Sequence, residues 1–141
     1  MITRPTGRAA PRAYNPTMAK RGVILFAHGA RDPRWREPFE ALASRFAELE
    51  PGVPVELAFL EFMSPDLPAA ARSLAAQGCD VVTIVPAFLG VGGHVRRDVP
   101  GLMAEIEREL PGVELKLAAS LGENPAVQEA MARASAAAAK A

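Results

Sequence analysis

The sequence predicts an α/β fold: a four-stranded parallel sheet in the order 2-1-3-4 with helices on both faces. Three observations carry that expectation. Val23 to Ala27 (VILFA) is a continuous apolar run without in-out alternation, as suits a central parallel strand covered on both faces. Between such runs lie stretches whose apolar residues recur at helical spacing. The two kinds of segment alternate in four strand–helix units, punctuated by Pro51-Gly52 and Pro111-Gly112. Right-handed crossovers leave few topologies, and the doubly wound order suits four strands.

Met1 to Arg21 carries Pro, Gly and Arg without a hydrophobic period, so residues 1–21 are expected to be a disordered tail before a single domain spanning residues 22–141. Met18, just before the first strand, is the expected physiological start. After Val23 to Ala27 and the loop HGARDPRW, Pro38 falls in the first turn of a helix carrying Phe39, Leu42, Phe46 and Leu49. Val55 to Leu60 is the second strand, with Glu61 at its end. Asp66 or Ser64 caps a helix running to about Gln77, which Gly78 terminates. Cys79 to Phe88 is the third strand, with Pro86 placed late, where a lost ladder bond is tolerated. Gly90, Gly92 and Gly93 make a loop up to His94. A third helix is expected to begin near Asp98 to Pro100 and to carry Leu102, Ile106 and Leu110. Val113 to Leu117 is the fourth strand, and Asn124-Pro125 opens an alanine-rich final helix.

Composition narrows the function. A chain of 141 residues that is 50% apolar can bury a core of its own. Lys plus Arg equals Asp plus Glu at 16 each, which removes the global basic field of a nonspecific nucleic-acid binder. One cysteine, Cys79, excludes an internal disulfide and any CxxC motif, and fits a reducing compartment. No apolar run reaches the roughly 18 residues of a membrane span, so a cytoplasmic protein is expected. GxGxxG, GxSxG and P-loop motifs are absent.

In the order 2-1-3-4 the chain leaves strands 1 and 3 in opposite directions, and ligands bind outside the carboxyl ends of strands at such a switch point. The only two histidines, His28 and His94, follow those two strands, and Glu61 ends the strand beside strand 1. Two imidazoles at one cleft suit a borderline divalent metal such as Co, Ni, Fe or Zn and leave coordination positions open. Glu61, flanked by apolar residues in AFLEFM, is expected to be partly desolvated and thereby a better proton acceptor. Arg31, Arg34 and Arg36 follow the first histidine, and Arg96 and Arg97 the second. They form either a positive collar for carboxylates or a solvated face paired with Asp32, Glu37 and Asp98. Trp35 and Phe88 are candidates to line an apolar pocket.

FAHGARDPRWREPFE, AFLEFMSPDLPAA, VPAFLGVGGHVRRDVPGL and LGENP, in that order from about Gly22 to Pro125, resemble the small single-domain form of the CbiX/SirB chelatases. The resemblance implies a chelatase-like fold, a homodimer and no ATP or organic cofactor. It implies insertion of a divalent metal as substrate, Co(II) or in relatives Fe(II) or Ni(II), into sirohydrochlorin, a polycarboxylate tetrapyrrole. The family's metal-binding histidines fall on His28 and His94, and its acidic site residue matches Glu61. The substrate's carboxylates would account for Arg31, Arg34, Arg96 and Arg97, and its flat body for the opening beside Gly92 and Gly93. Insertion is expected to fail well below about pH 6, where free imidazole is mostly protonated. A noncatalytic metal or tetrapyrrole carrier would use the same cleft. A histidine phosphatase would need an arginine immediately before the first histidine, where Ala27 stands.

Overall fold

The computed structural model describes residues 19–90 and 92–141, with the side chain of His94 outside that description. The expected tail therefore lies outside the described residues as far as Met18, and Arg21 already opens the first strand. Four strands, β1 (Arg21–Ala27), β2 (Val55–Phe59), β3 (Val81–Pro86) and β4 (Glu114–Leu117), pair in parallel in the order β2-β1-β3-β4. The expected topology is observed. The register sets Ala27 opposite Phe59 and Phe26 opposite Pro86, so the carboxyl ends of the three strands that lead into the site finish level.

Four helices connect and follow them: α1 (Arg36–Leu49), α2 (Leu67–Ala76), α3 (Gly93–Glu109) and α4 (Pro125–Ala139). A 3-10 turn at Pro33–Trp35 leads into α1, and Asp66 caps α2 by accepting a hydrogen bond from the Ala69 N–H. One face of the sheet, with Ile24, Phe26, Ala58, Val82 and Ile84, packs beneath α2 and α3 through Leu67, Leu74 and Ile106, all essentially inaccessible. On the other face, Phe39 of α1 meets the buried Phe59 edge-on with ring centroids 6.2 Å apart. None of the residues of α4 is buried, and its main contact is the 3-10 turn at Leu121–Glu123 before it.

β2 ends at Phe59 rather than Leu60, β3 spans Val81–Pro86 rather than Cys79 to Phe88, and β4 opens at Glu114 rather than Val113. The largest departure from expectation is the start of the third helix. The third helix begins at Gly93 rather than near Asp98 to Pro100, and Pro100 lies in its interior. An interior proline costs about 3 kcal/mol through its missing N–H and its clash with the preceding turn. Val95, Val99 and Ile106 lie on one face and are 4%, 4% and 1% exposed. Burying each such side chain contributes roughly 1.5–3 kcal/mol, so the longer helix prevails. His94 consequently sits in the first turn of α3 instead of at the end of a glycine loop, with Gly92 as the preceding cap residue.

Candidate functional site at the carboxyl rim of the sheet

The last residue of β1 is Ala27, and the chain then delivers His28, half-buried, onto the rim. Backbone bonds stitch this point to both neighbouring strands. The Leu60 N–H donates to the Ala27 carbonyl at 2.9 Å, the Glu61 N–H to the His28 carbonyl at 3.0 Å, and the Ala87 N–H to the Phe26 carbonyl at 2.7 Å. Gly29 makes the stitch possible. Its φ is +91°, and a Cβ there would lie 1.9 Å from the Glu61 carbonyl oxygen.

The His28 ring lies against Phe88, with centroids 4.2 Å apart and planes at 33°. Phe88 is in turn fixed by the segment that follows β4. Its carbonyl accepts from the Ser120 hydroxyl at 2.6 Å and from the Gly122 N–H at 2.8 Å. Ser120 is the one buried polar residue among those described, and a Cβ on Gly122 would meet the Leu89 carbonyl oxygen at 2.0 Å. Sequence reasoning did not single out Ser120 or Gly122. The only signal was a serine and a glycine in the apolar stretch LAASLGEN.

The five arginines have different fates. Arg34 is tied to Asp32 by a fork of hydrogen bonds, with a closest ion-pair distance of 2.7 Å, and this pairing holds the Asp32 carboxyl below its ordinary range and raises Arg34. Asp32 also caps the 3-10 turn through the Arg34 N–H at 2.9 Å. Arg34 thus has a carboxylate partner on its own loop. Arg36 donates to the Ser64 carbonyl at 2.7 Å and pairs with Glu40, so it braces the loop after β2. Arg31 lies over the Phe62 ring, 4.4 Å from its centroid. Arg96 and Arg97 are exposed on the first turns of α3.

Glu61 is exposed, so the desolvation expected from its apolar neighbours is not observed; Phe62 turns outward, 57% exposed, instead of covering it. Trp35 is 42% exposed and leans on Phe39, with centroids 5.6 Å apart, rather than lining a pocket. At the same end of the sheet, between the start of α3 and the segment after β4, a cavity of about 330 Å³ is lined by Pro86, Val95, Arg96, Val99, Leu117 and Ser120. Among the described residues, no three His, Cys, Asp or Glu side chains gather to hold a metal. His28 is the described imidazole at the rim, and His94 contributes its backbone position in α3.

This architecture has close counterparts. The CbiX family model matches residues 22–138, all of the described strands and helices but the first residue of β1 and the last of α4. The chain belongs to the CbiX family. A relative from Sulfurisphaera tokodaii, named sirohydrochlorin cobaltochelatase, is 31% identical over 111 residues, 77% of this chain and 85% of its own length. One of the same name from Saccharolobus solfataricus is 36% identical over 85 residues, a match that spans 62% of that protein. Among solved structures, a CbiX protein from Marinobacter aquaeolei superposes with a TM-score of 0.74 at 34% identity, covering 85% of this chain and 98% of that one. The sirohydrochlorin chelatase SirB from Bacillus subtilis subspecies spizizenii, in complex with cobalt, shares the fold at a TM-score of 0.66 and 20% identity, over 72% of this chain and 43% of that one. The CbiX match begins at Gly22, where the resemblance in the motifs begins, and it bears out both the family and the chelatase-like fold.

Proposed function

We propose that this CbiX protein is a sirohydrochlorin chelatase that inserts a divalent metal, Co(II) first and Fe(II) or Ni(II) as alternatives, with the ion as substrate. What carries the reading is the match to a protein named sirohydrochlorin cobaltochelatase along 85% of that protein's length. Insertion breaks two pyrrolic N–H bonds, forms four metal–nitrogen bonds and releases two protons, with no change of oxidation state. The metal must shed water as it enters, and a pair of nitrogen donors with open positions suits that exchange.

His28 and His94 share the ion and one of them accepts a proton, while Glu61 assists. The position of His28, half-buried against Phe88, supports this role, because the ring is held yet open to the rim. The exposure of Glu61 suits a group that hands protons on to water. Arg31, Arg96 and Arg97 receive substrate carboxylates, with Arg34 secondary because Asp32 already occupies it. Gly92 and Gly93 leave room for the macrocycle. No ATP or organic cofactor takes part. None of the described helices is long and apolar enough to cross a membrane, and the reading places the protein in the cytoplasm. The unburied α4 supports a homodimer.

The test is an absorbance assay of sirohydrochlorin metallation with Co, Fe and Ni in parallel. His28→Ala and His94→Ala are each expected to fall to the spontaneous rate while retaining the wild-type fold by circular dichroism. Near-normal turnover in either variant would refute the role of that histidine. Conversion that stops at one equivalent of product per wild-type chain would identify a carrier instead of an enzyme.

A further inference from the structure

The loop after β2 holds a residue whose conformation folding alone does not account for. Phe62 has φ +67°, in the left-handed region where a bulky side chain is disfavoured and glycine is at ease. Strain of this kind is ordinarily offset by burial, yet Phe62 remains 57% exposed. Its immediate neighbour in the chain, Glu61, is bonded through its N–H to the His28 carbonyl at 3.0 Å, and Leu60 is bonded to Ala27 at 2.9 Å. The ring is thus one residue beyond a rigid stitch to the rim histidine. From the other loop, Arg31 places its guanidinium 4.4 Å from the Phe62 centroid. The two loops together present an aromatic surface and a cation as one unit.

We infer that Phe62 and Arg31 form a seat for the tetrapyrrole, Phe62 stacking on the conjugated ring system and Arg31 taking one of its carboxylates. This rests on the chelatase reading and adds to it a substrate-positioning residue, Phe62. A flat conjugated ring carrying carboxylates is the ligand chemistry that uses both groups at once. Aromatic stacking supplies affinity without a directional bond to any one atom, and the guanidinium fixes which edge lies over it. At Phe62 the left-handed backbone and the exposed ring occur together.

The experiment titrates metal-free sirohydrochlorin into wild-type protein and into Phe62→Ala, Phe62→Gly and Phe62→Tyr, with Leu49→Ala as the control. Leu49 is similarly exposed, at 62%, and ends α1 away from the rim. Phe62→Ala and Phe62→Gly are each expected to weaken binding roughly tenfold and to raise KM while kcat holds. Phe62→Gly does so without lowering Tm, because its backbone suits glycine, and Phe62→Tyr restores the affinity. Leu49→Ala binds as wild type. If wild-type protein binds and Phe62→Gly binds within about twofold of it, the seat is overturned while the chelatase reading stands. If wild-type protein does not bind the tetrapyrrole, that reading fails and the seat with it. An altered sedimentation coefficient with unchanged Kd would assign Phe62 to a contact between copies and would also overturn the seat.

Discussion

Two stretches of the rim use glycine for opposite reasons. After β1, Gly29 sits where a Cβ would strike the Glu61 carbonyl oxygen at 1.9 Å, and its φ of +91° is unsuited to other residues. After β3, a Cβ on Gly90 or Gly92 would meet nothing within 4 Å. The first glycine is demanded by close packing that locks His28 to the loop after β2. The others are not demanded by packing at all, and in the proposed function the missing side chain of Gly92 keeps room beside His94 for a large flat substrate. A site that must hold a metal ligand still and yet admit a macrocycle needs both.

The sharpest way to break this contrast is to put the same methyl group in both places. Gly29→Ala is expected to destabilise the protein by about 3 kcal/mol or more, since both the clash and the left-handed backbone act against it. That corresponds to a fall in Tm on the order of 10 °C. Gly92→Ala changes stability by no more than about 1 kcal/mol, the effect of replacing an exposed cap residue. Its cost falls on function, as a raised KM for sirohydrochlorin. Thermal melts and steady-state assays of the two variants measure both effects. Equal losses of stability would remove the distinction between a packed and an open half.

A smaller effect tests how firmly the packed half is held by the segment after β4. Ser120→Ala removes the 2.6 Å hydrogen bond to the Phe88 carbonyl, but that carbonyl keeps the Gly122 N–H at 2.8 Å. The acceptor is not left unpaired, so the expected cost is about 1 kcal/mol rather than the larger penalty of an orphaned buried group. Because the His28 ring rests on Phe88, the insertion rate should fall as well. Wild-type stability and kcat in this variant would show that the Gly122 N–H bond and packing hold Phe88 without the Ser120 hydroxyl.

The same contrast explains what could be read from the sequence. Central parallel strands are short apolar runs bounded by Pro and Gly, and such runs survive without tertiary context, so β1, β3 and their order were legible. His28 was legible as a polar residue at the end of the β1 run. The start of α3 was not, because Asp98 followed by Pro100 imitates a helix start, and only the burial of Val95 and Val99 reveals the turns before it. The stitch from Glu61 to His28 joins two backbones distant in sequence, and no side-chain identity encodes it. The exposure of Glu61 was missed for a related reason. A run of apolar letters implied burial, whereas Phe62, in a left-handed backbone that residue type does not announce, leaves its ring exposed.

The least of the expected effects concerns the loop that carries Arg31 and Arg34. The Arg34 guanidinium holds the Asp32 carboxyl below its ordinary 3.8, so the ionised form is favoured in the folded chain. A carboxyl depressed on folding contributes stability that is complete above the unfolded pKa and lost as pH falls through the lower folded value. Both groups are well exposed, and solvent screening keeps the contribution small. Asp32→Asn retains an oxygen able to cap the turn through the Arg34 N–H while losing the charge. The difference in Tm between this variant and wild type is therefore expected to be small and steady from neutral pH down to about pH 4, and to vanish below it. Added salt should shrink it at neutral pH. A difference that did not shrink as the pH fell would mean that the Asp32 charge is not its source, and that the ion pair does not hold Arg34 back from the substrate's carboxylates.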